Sequence, residues 1–172
     1  MKLDNNISLR NKLLNTDWGN TFTEWQKEEL LRGIDLGVDI TKYAFPFVNP
    51  LQMKVLCEML RYNFDVSQLD LRRLDIAQLN AIMRGIIDKV DVSIYYDPQY
   101  HASQMEFLEH CLANGEDVSE FAHHYYNKEQ MIVIRDGVIS GDDISKYADP
   151  SYSAVLMRKI REQIRKDKEM SL

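Results

Sequence analysis

The chain is poor in residues that interrupt regular structure. Glycine occurs seven times and proline four times in 172 residues, which argues against a loop-rich or all-β fold and for helices. Cysteine occurs twice, as Cys57 and Cys111, without metal-type spacing. That usage fits a reducing cytoplasmic compartment. Long hydrophobic runs are missing: even Met131 to Ile134, which no purely apolar run exceeds in length, is far short of a membrane span. The opening MKLDNNISLRNKLL has no apolar core of signal-peptide length, so no membrane association is expected. Positive charge is also short. The net charge is −6, with +3 from Ala154 onward and −9 before it. An acidic body disfavours passive phosphate binding, so nucleic acid is not an expected partner, whereas basic partners are permitted. No glycine-rich phosphate loop, nucleophile elbow, CxxC pair or zincin motif is present. That weighs against an enzyme, and no cofactor is expected.

What remains is an ordinary folded composition, 45% hydrophobic and 28% charged, written in a period of 26. "GVDITKYAFPFV" at 37–48 returns as "GDDISKYADPSY" at 141–152. Glutamine stands at Gln26, Gln52, Gln78, Gln104 and Gln130, and the next step lands on Leu156. Leu30, Leu56, Ile82, Leu108, Ile134 and Ile160 follow in register. So do Asp39, Asp65, Asp91, Asp117 and Asp143, each followed by a β-branched residue and a hydroxyl. Repetition at one spacing without insertion is the mark of a repeat array.

Each unit reads as two helices. The first opens with a capping box: Thr23, Asn49, Asp75, His101 and Asn127 stand three residues before the glutamines, whose amides can return to the cap. Gly37, Gly115, Gly141 and Asn63 suit its left-handed end, and Lys89 departs from that pattern. The second helix is expected to be short, capped by the hydroxyl of the Asp-(Ile/Val)-(Ser/Thr) step, and ended by Pro46, Pro98 or Pro150. Tyr43, Leu69, Tyr95, Phe121 and Tyr147 point inward from it. Gly33, Gly85 and Gly137 recur inside first helices and predict close backbone approach between neighbours. A unit this small cannot cover its own apolar faces; stacking supplies the missing surface. The expected fold is all-α, an α-solenoid of five two-helix repeats (23–48, 49–74, 75–100, 101–126, 127–152). Residues 1–22 form an N-terminal cap through Ile7, Leu13, Leu14, Trp18 and Phe22. Residues 153–172 form a C-terminal capping helix with Leu156, Met157, Ile160 and Ile164 inward, within a single domain.

The pattern QMxxIxxGxxxGxDISxYADPxY, carried best by Gln130-Met131, Gly137, Gly141, Asp143-Ile144-Ser145 and Tyr147-Ala148-Asp149-Pro150, resembles short helical repeats in proteins of Gram-positive gut bacteria and their mobile elements. The resemblance covers roughly residues 23–160. It implies architecture, and no catalytic or binding residue comes with it. Unit two departs, with Leu69-Asp-Leu-Arg-Arg-Leu in place of the Tyr-Ala-x-Pro step.

Three features invite chemistry. All four histidines, His101, His110, His123 and His124, lie close together beside Cys111, which raises a metal or acid–base site in unit four. No ligand-pair spacing accompanies them, and each has a plain reading as a cap, an exposed helix residue or a turn substitution. The repeated aspartates and glutamines read as structural, because active sites are rarely copied along an array. The basic C-terminal helix reads as an end cap. By contrast, the residues at 45 and 47 and their copies change from unit to unit on a constant frame, which is where an array varies its contacts. Phe45, Phe47, His123 and Tyr125 are therefore the candidate partner-binding residues. The expected function is a non-enzymatic scaffold that binds a protein or peptide. The alternatives are an acidic inhibitor of mobile-element origin that mimics nucleic acid, and a metal-dependent enzyme centred on unit four.

Overall fold

The computed structural model describes residues 2–170, with side chains from Asn6 onward. Residue 1 and residues 171–172, the outermost positions of the two expected caps, lie outside the described residues. Among the described residues the protein is all-helical: eight α-helices, four 3₁₀ turns and no strand. The helices are α1 Lys2–Asn15, α2 Asp17–Asn20, α3 Glu24–Asp35, α4 Pro50–Arg61, α5 Ile76–Asp88, α6 Ala102–Ala113, α7 Lys128–Ile139 and α8 Ala154–Met170. From α3 on, each packs against the next in chain order. No described helix is long and apolar enough to cross a membrane.

The start of each helix is set by its glutamine. Gln26 Oε1 accepts from the Thr23 N–H at 2.9 Å, and Gln52, Gln78, Gln104 and Gln130 repeat this at Asn49, Asp75, His101 and Asn127. The same amide has a second task. Its Nε2 donates forward to the carbonyl of the residue just before the next unit: Val48 (2.7 Å), Leu74 (2.9 Å), Tyr100 (2.6 Å), Tyr126 and Tyr152 (2.6 Å). In four units it also reaches a carbonyl two residues earlier, at Pro46, Pro98, His124 and Pro150. Each glutamine is at most 8% exposed, so these bonds form away from water, where a lost partner is expensive. The amide thus pins one helix start to the next. Leu156 breaks the series, and its place is filled by a side chain turned to solvent.

Each of α3 to α7 ends alike. The residue after the last turn takes positive φ at Gly37, Asn63, Lys89, Gly115 and Gly141. The next N–H returns to the carbonyl of Gly33, Met59, Gly85, Cys111 or Gly137, which is a Schellman motif. Lys89, which departs in sequence, adopts φ +60° all the same; the tertiary frame overrides its local preference.

Several expectations need correction. The second helix is a single 3₁₀ turn at Ile40–Lys42, Val66–Gln68, Val92–Ile94 and Ile144–Lys146, and in unit four an irregular turn. Its cap is the aspartate. The carboxylates of Asp39, Asp65, Asp91 and Asp117 accept from the N–H two residues on, and those of Asp39, Asp91 and Asp143 accept from the hydroxyl of the residue two positions on. The prolines start the next turn instead of ending a helix. At the N-terminal end Leu13 and Phe22 are buried, but Ile7 and Leu14 are exposed, as is Leu156 at the other end.

The helix-interior glycines also have another cause. An ideal Cβ on Gly33, Gly85 or Gly137 would lie 2.1, 1.9 or 1.8 Å from the hydroxyl of Tyr43, Tyr95 or Tyr147. The crowding comes from the unit's own tyrosine, not from a neighbouring helix. Units two and four replace both members together, Met59 with Leu69 and Cys111 with Phe121. Without a phenol the helix can carry a side chain. The three phenols are buried, and none of their oxygens has a well-formed hydrogen-bond partner among the described residues. Burial raises all three above the ordinary phenol pKa. Through the middle, Leu30, Leu56, Ile82, Leu108 and Ile134 are all 0% exposed and make one continuous apolar interior with Met53, Leu79, Met105 and Met131.

Candidate functional site

The variable positions lie on the turn that links each 3₁₀ element to the next helix. The turn closes on one backbone bond. Val48 N–H donates to the Phe45 carbonyl at 2.9 Å, and Tyr100 to Asp97, Tyr126 to His123 and Tyr152 to Asp149 repeat it at 2.9–3.0 Å. Pro46, Pro98 and Pro150 occupy the second position, where a fixed φ suits a type I or II turn.

In units three and five the turn is reinforced by its first side chain. Asp97 accepts from the Gln99 N–H and Asp149 from the Ser151 N–H, each at 2.8 Å. The Gln99 backbone N–H holds Asp97 below the usual carboxylate range, and the Ser151 hydroxyl does the same for Asp149. In units one and four the same two positions hold aromatic rings, stacked face to face. Phe45 and Phe47 lie 5.3 Å apart at 11°, and His123 and Tyr125 lie 5.1 Å apart at 7°. Phe45, Phe47 and Tyr125 are 39%, 42% and 52% exposed, and His123 is half-buried.

The two rings of each pair meet, but the pairs are three units apart along the array. Packed helices sit about 8–10 Å apart, so a partner spanning both would be on the order of 25–30 Å long.

One member of the unit-one site escaped sequence reasoning. Arg72 occupies the position of Pro46 in unit two, and its guanidinium lies 4.0 Å from the centroid of Phe47. His124, the non-proline counterpart in unit four, turns instead edge-on to Tyr100 at 6.1 Å. Both departures from proline reach back toward an aromatic of the preceding unit, and that shared replacement is the signal that could have found them.

The remaining histidines do not join this group into a metal site. His101 caps α6, and His110 is exposed beside the Asn114 amide. Among the described residues no three His, Cys, Asp or Glu side chains converge as metal ligands would. Burial pushes the Cys111 thiol up to about 12, which keeps it a poor nucleophile at neutral pH. No protein-family model, curated protein or solved structure matches this chain.

Proposed function

We propose that the chain is a cytoplasmic, non-enzymatic α-solenoid of five repeats, of the short helical-repeat kind, whose turn face binds a protein or peptide. The observation that carries this reading is the exchange at positions 45 and 47. Units three and five secure the turn with a carboxylate and leave a polar surface. Units one and four keep the same backbone bond, give up the carboxylate, and expose paired rings to water. The fold has no need of those rings, since its own polar solution stands beside them. Exposed aromatics at the centre of a rigid surface are typical binding anchors. The buried, unpaired state of Cys57 and Cys111 supports a reducing compartment.

The test is affinity capture from native lysate with wild type, Phe47→Ala and Tyr125→Ala. The turn-face reading expects at least one shared partner to be lost from both variants while their helix content stays unchanged. Identical recovery from all three overturns it.

A further inference from the structure

The two aromatic pairs sit in different chemical settings. Beside Phe45 and Phe47 lies a recess of about 380 Å³, near the lower end of the range for sites that take a side chain or small ligand, about 300–1,000 Å³. Its apolar lining includes Val66, Leu69 and Leu71. Two cations, Lys42 and Arg72, stand at it, and their states differ. Lys42 is neutralised by Asp65 at 2.8 Å, which the Lys42 ammonium pulls down to about 2. The other carboxylate present, Asp70, accepts from the backbone N–H of Arg72 at 3.2 Å and so holds the turn. The Arg72 guanidinium lies over the ring of Phe47 and has no carboxylate partner among the described residues. A guanidinium stacked on a ring keeps its N–H donors in its own plane, free to fork onto a carboxylate, and ring contact restricts it in advance of binding.

We propose that this recess takes an extended peptide in which an Asp or Glu side chain lies within two residues of a large apolar one. The apolar side chain fills the space over Val66, Leu69 and Leu71 against Phe47, and the carboxylate receives the Arg72 fork. The inference rests on the turn face being the binding face. It adds the charge of the partner and places the acid-reading site in unit one, where an unpaired cation accompanies the rings. It also gives a use to the missing proline of unit two, since the side chain at position 72 brings a cation onto the ring of unit one.

The test is selection of phage-displayed random linear peptides on immobilised full-length protein, followed by binding of the selected synthetic peptides in solution. We expect selected peptides to combine an acid with a neighbouring aromatic or large aliphatic residue. Phe47→Ala abolishes their binding. On wild type, replacing the peptide's acid by its amide weakens binding about tenfold or more, the scale of a charge-assisted bond. On Arg72→Ala the same change makes less than about a twofold difference, and Arg72→Glu shifts selection toward basic peptides. Peptides that depend on Phe47 but show no preference for acid overturn this inference and leave the turn-face reading standing. Peptides that depend on Tyr125 and not on Phe47 likewise overturn this inference and leave the turn-face reading standing; if no peptide depends on either ring, both are overturned. Circular dichroism of each variant, all altered at exposed positions, separates lost binding from lost fold.

Discussion

Consider a methyl group added at Gly137. In a helix interior, Gly→Ala ordinarily stabilises by up to about 1 kcal/mol. Here the new Cβ falls 1.8 Å from the Tyr147 hydroxyl, and overpacking of this kind costs about 1–3 kcal/mol. Gly137→Ala alone is therefore expected to destabilise by about 1 kcal/mol or more. Tyr147→Phe removes the obstructing oxygen, which is also buried and has no hydrogen-bond partner among the described residues. A hydroxyl in that state is unfavourable by about 1–3 kcal/mol in proteins, partly offset by the small void its removal leaves. The single variant should lie between neutral and about 1 kcal/mol more stable. With the oxygen gone, the nearest remaining atoms to the new methyl are Ile144 at 3.0 Å and the ring carbon at 3.1 Å, contacts that a shift of a few tenths of an ångström relieves. The double variant is then expected to exceed wild type, with a coupling of about 2 kcal/mol between the two sites. Unit four already holds such a pair in Cys111 and Phe121. Arrays of small units need not unfold in one step. The assay is therefore native-state hydrogen exchange of the α7 amides alongside urea unfolding of all four proteins. Additive single effects, within about 0.5 kcal/mol, would refute the claim that the phenol dictates the glycine.

A further substitution tests the unit-to-unit bonds. Gln78→Glu keeps the acceptor for the Asp75 N–H but points an oxygen at the Tyr100 carbonyl. At neutral pH it should destabilise by about 2–4 kcal/mol, through buried groups left unpaired, and expose α5 and α6 to exchange. Protonation restores the donor, so the introduced acid has a raised folded pKa, and its deficit against wild type should shrink as pH falls toward 5. A deficit independent of pH would mean that the forward bond contributes little. Glu109 supplies the native counterpart. It is 8% exposed, and burial followed by the facing Asp88 carboxyl raises its pKa, against the opposing pull of Arg84 and His110. With the folded value above the unfolded one, the penalty of its charged form is complete above the folded pKa. The penalty disappears as pH falls through that value. Glu109→Gln should therefore raise the melting temperature by a few degrees, roughly 2–4 °C per kcal/mol at this size, at pH 7 and by less at pH 5. An equal gain at both values would remove Glu109 as the titrating group.

What was legible in the sequence was local. Capping residues and left-handed stops act within a few positions of themselves, so Thr23, Asn49 and Gly141 could be assigned from neighbours. The forward half of each glutamine was not legible, because its acceptors, such as Val48 for Gln26, lie 22 residues on and are backbone atoms without identity. The glycine–tyrosine relation was written in the sequence as paired replacement at Met59 with Leu69 and Cys111 with Phe121. Reading it required knowing that a side chain from the turn reaches the helix. The short second element was overestimated because an Asp-Ile-Ser step caps an α-helix and a 3₁₀ turn with the same atoms. At the candidate site the rings of Phe45 and Phe47 stood out by their variation. Arg72 did not, since an arginine in an exposed turn is unremarkable until its place above Phe47 is seen.

The glutamine series gives the molecule a direction. Each amide belongs to the earlier helix and each receiving carbonyl to the end of the same unit, so every joint copies the same instruction to its successor. Leu156 carries no such amide, so this bond is not continued from α8. A module duplicated in the interior brings both donor and acceptor with it. Removing or adding one whole 26-residue module between α3 and α7 should therefore leave every remaining amide with an acceptor, while changing the spacing between the unit-one rings and those of unit four.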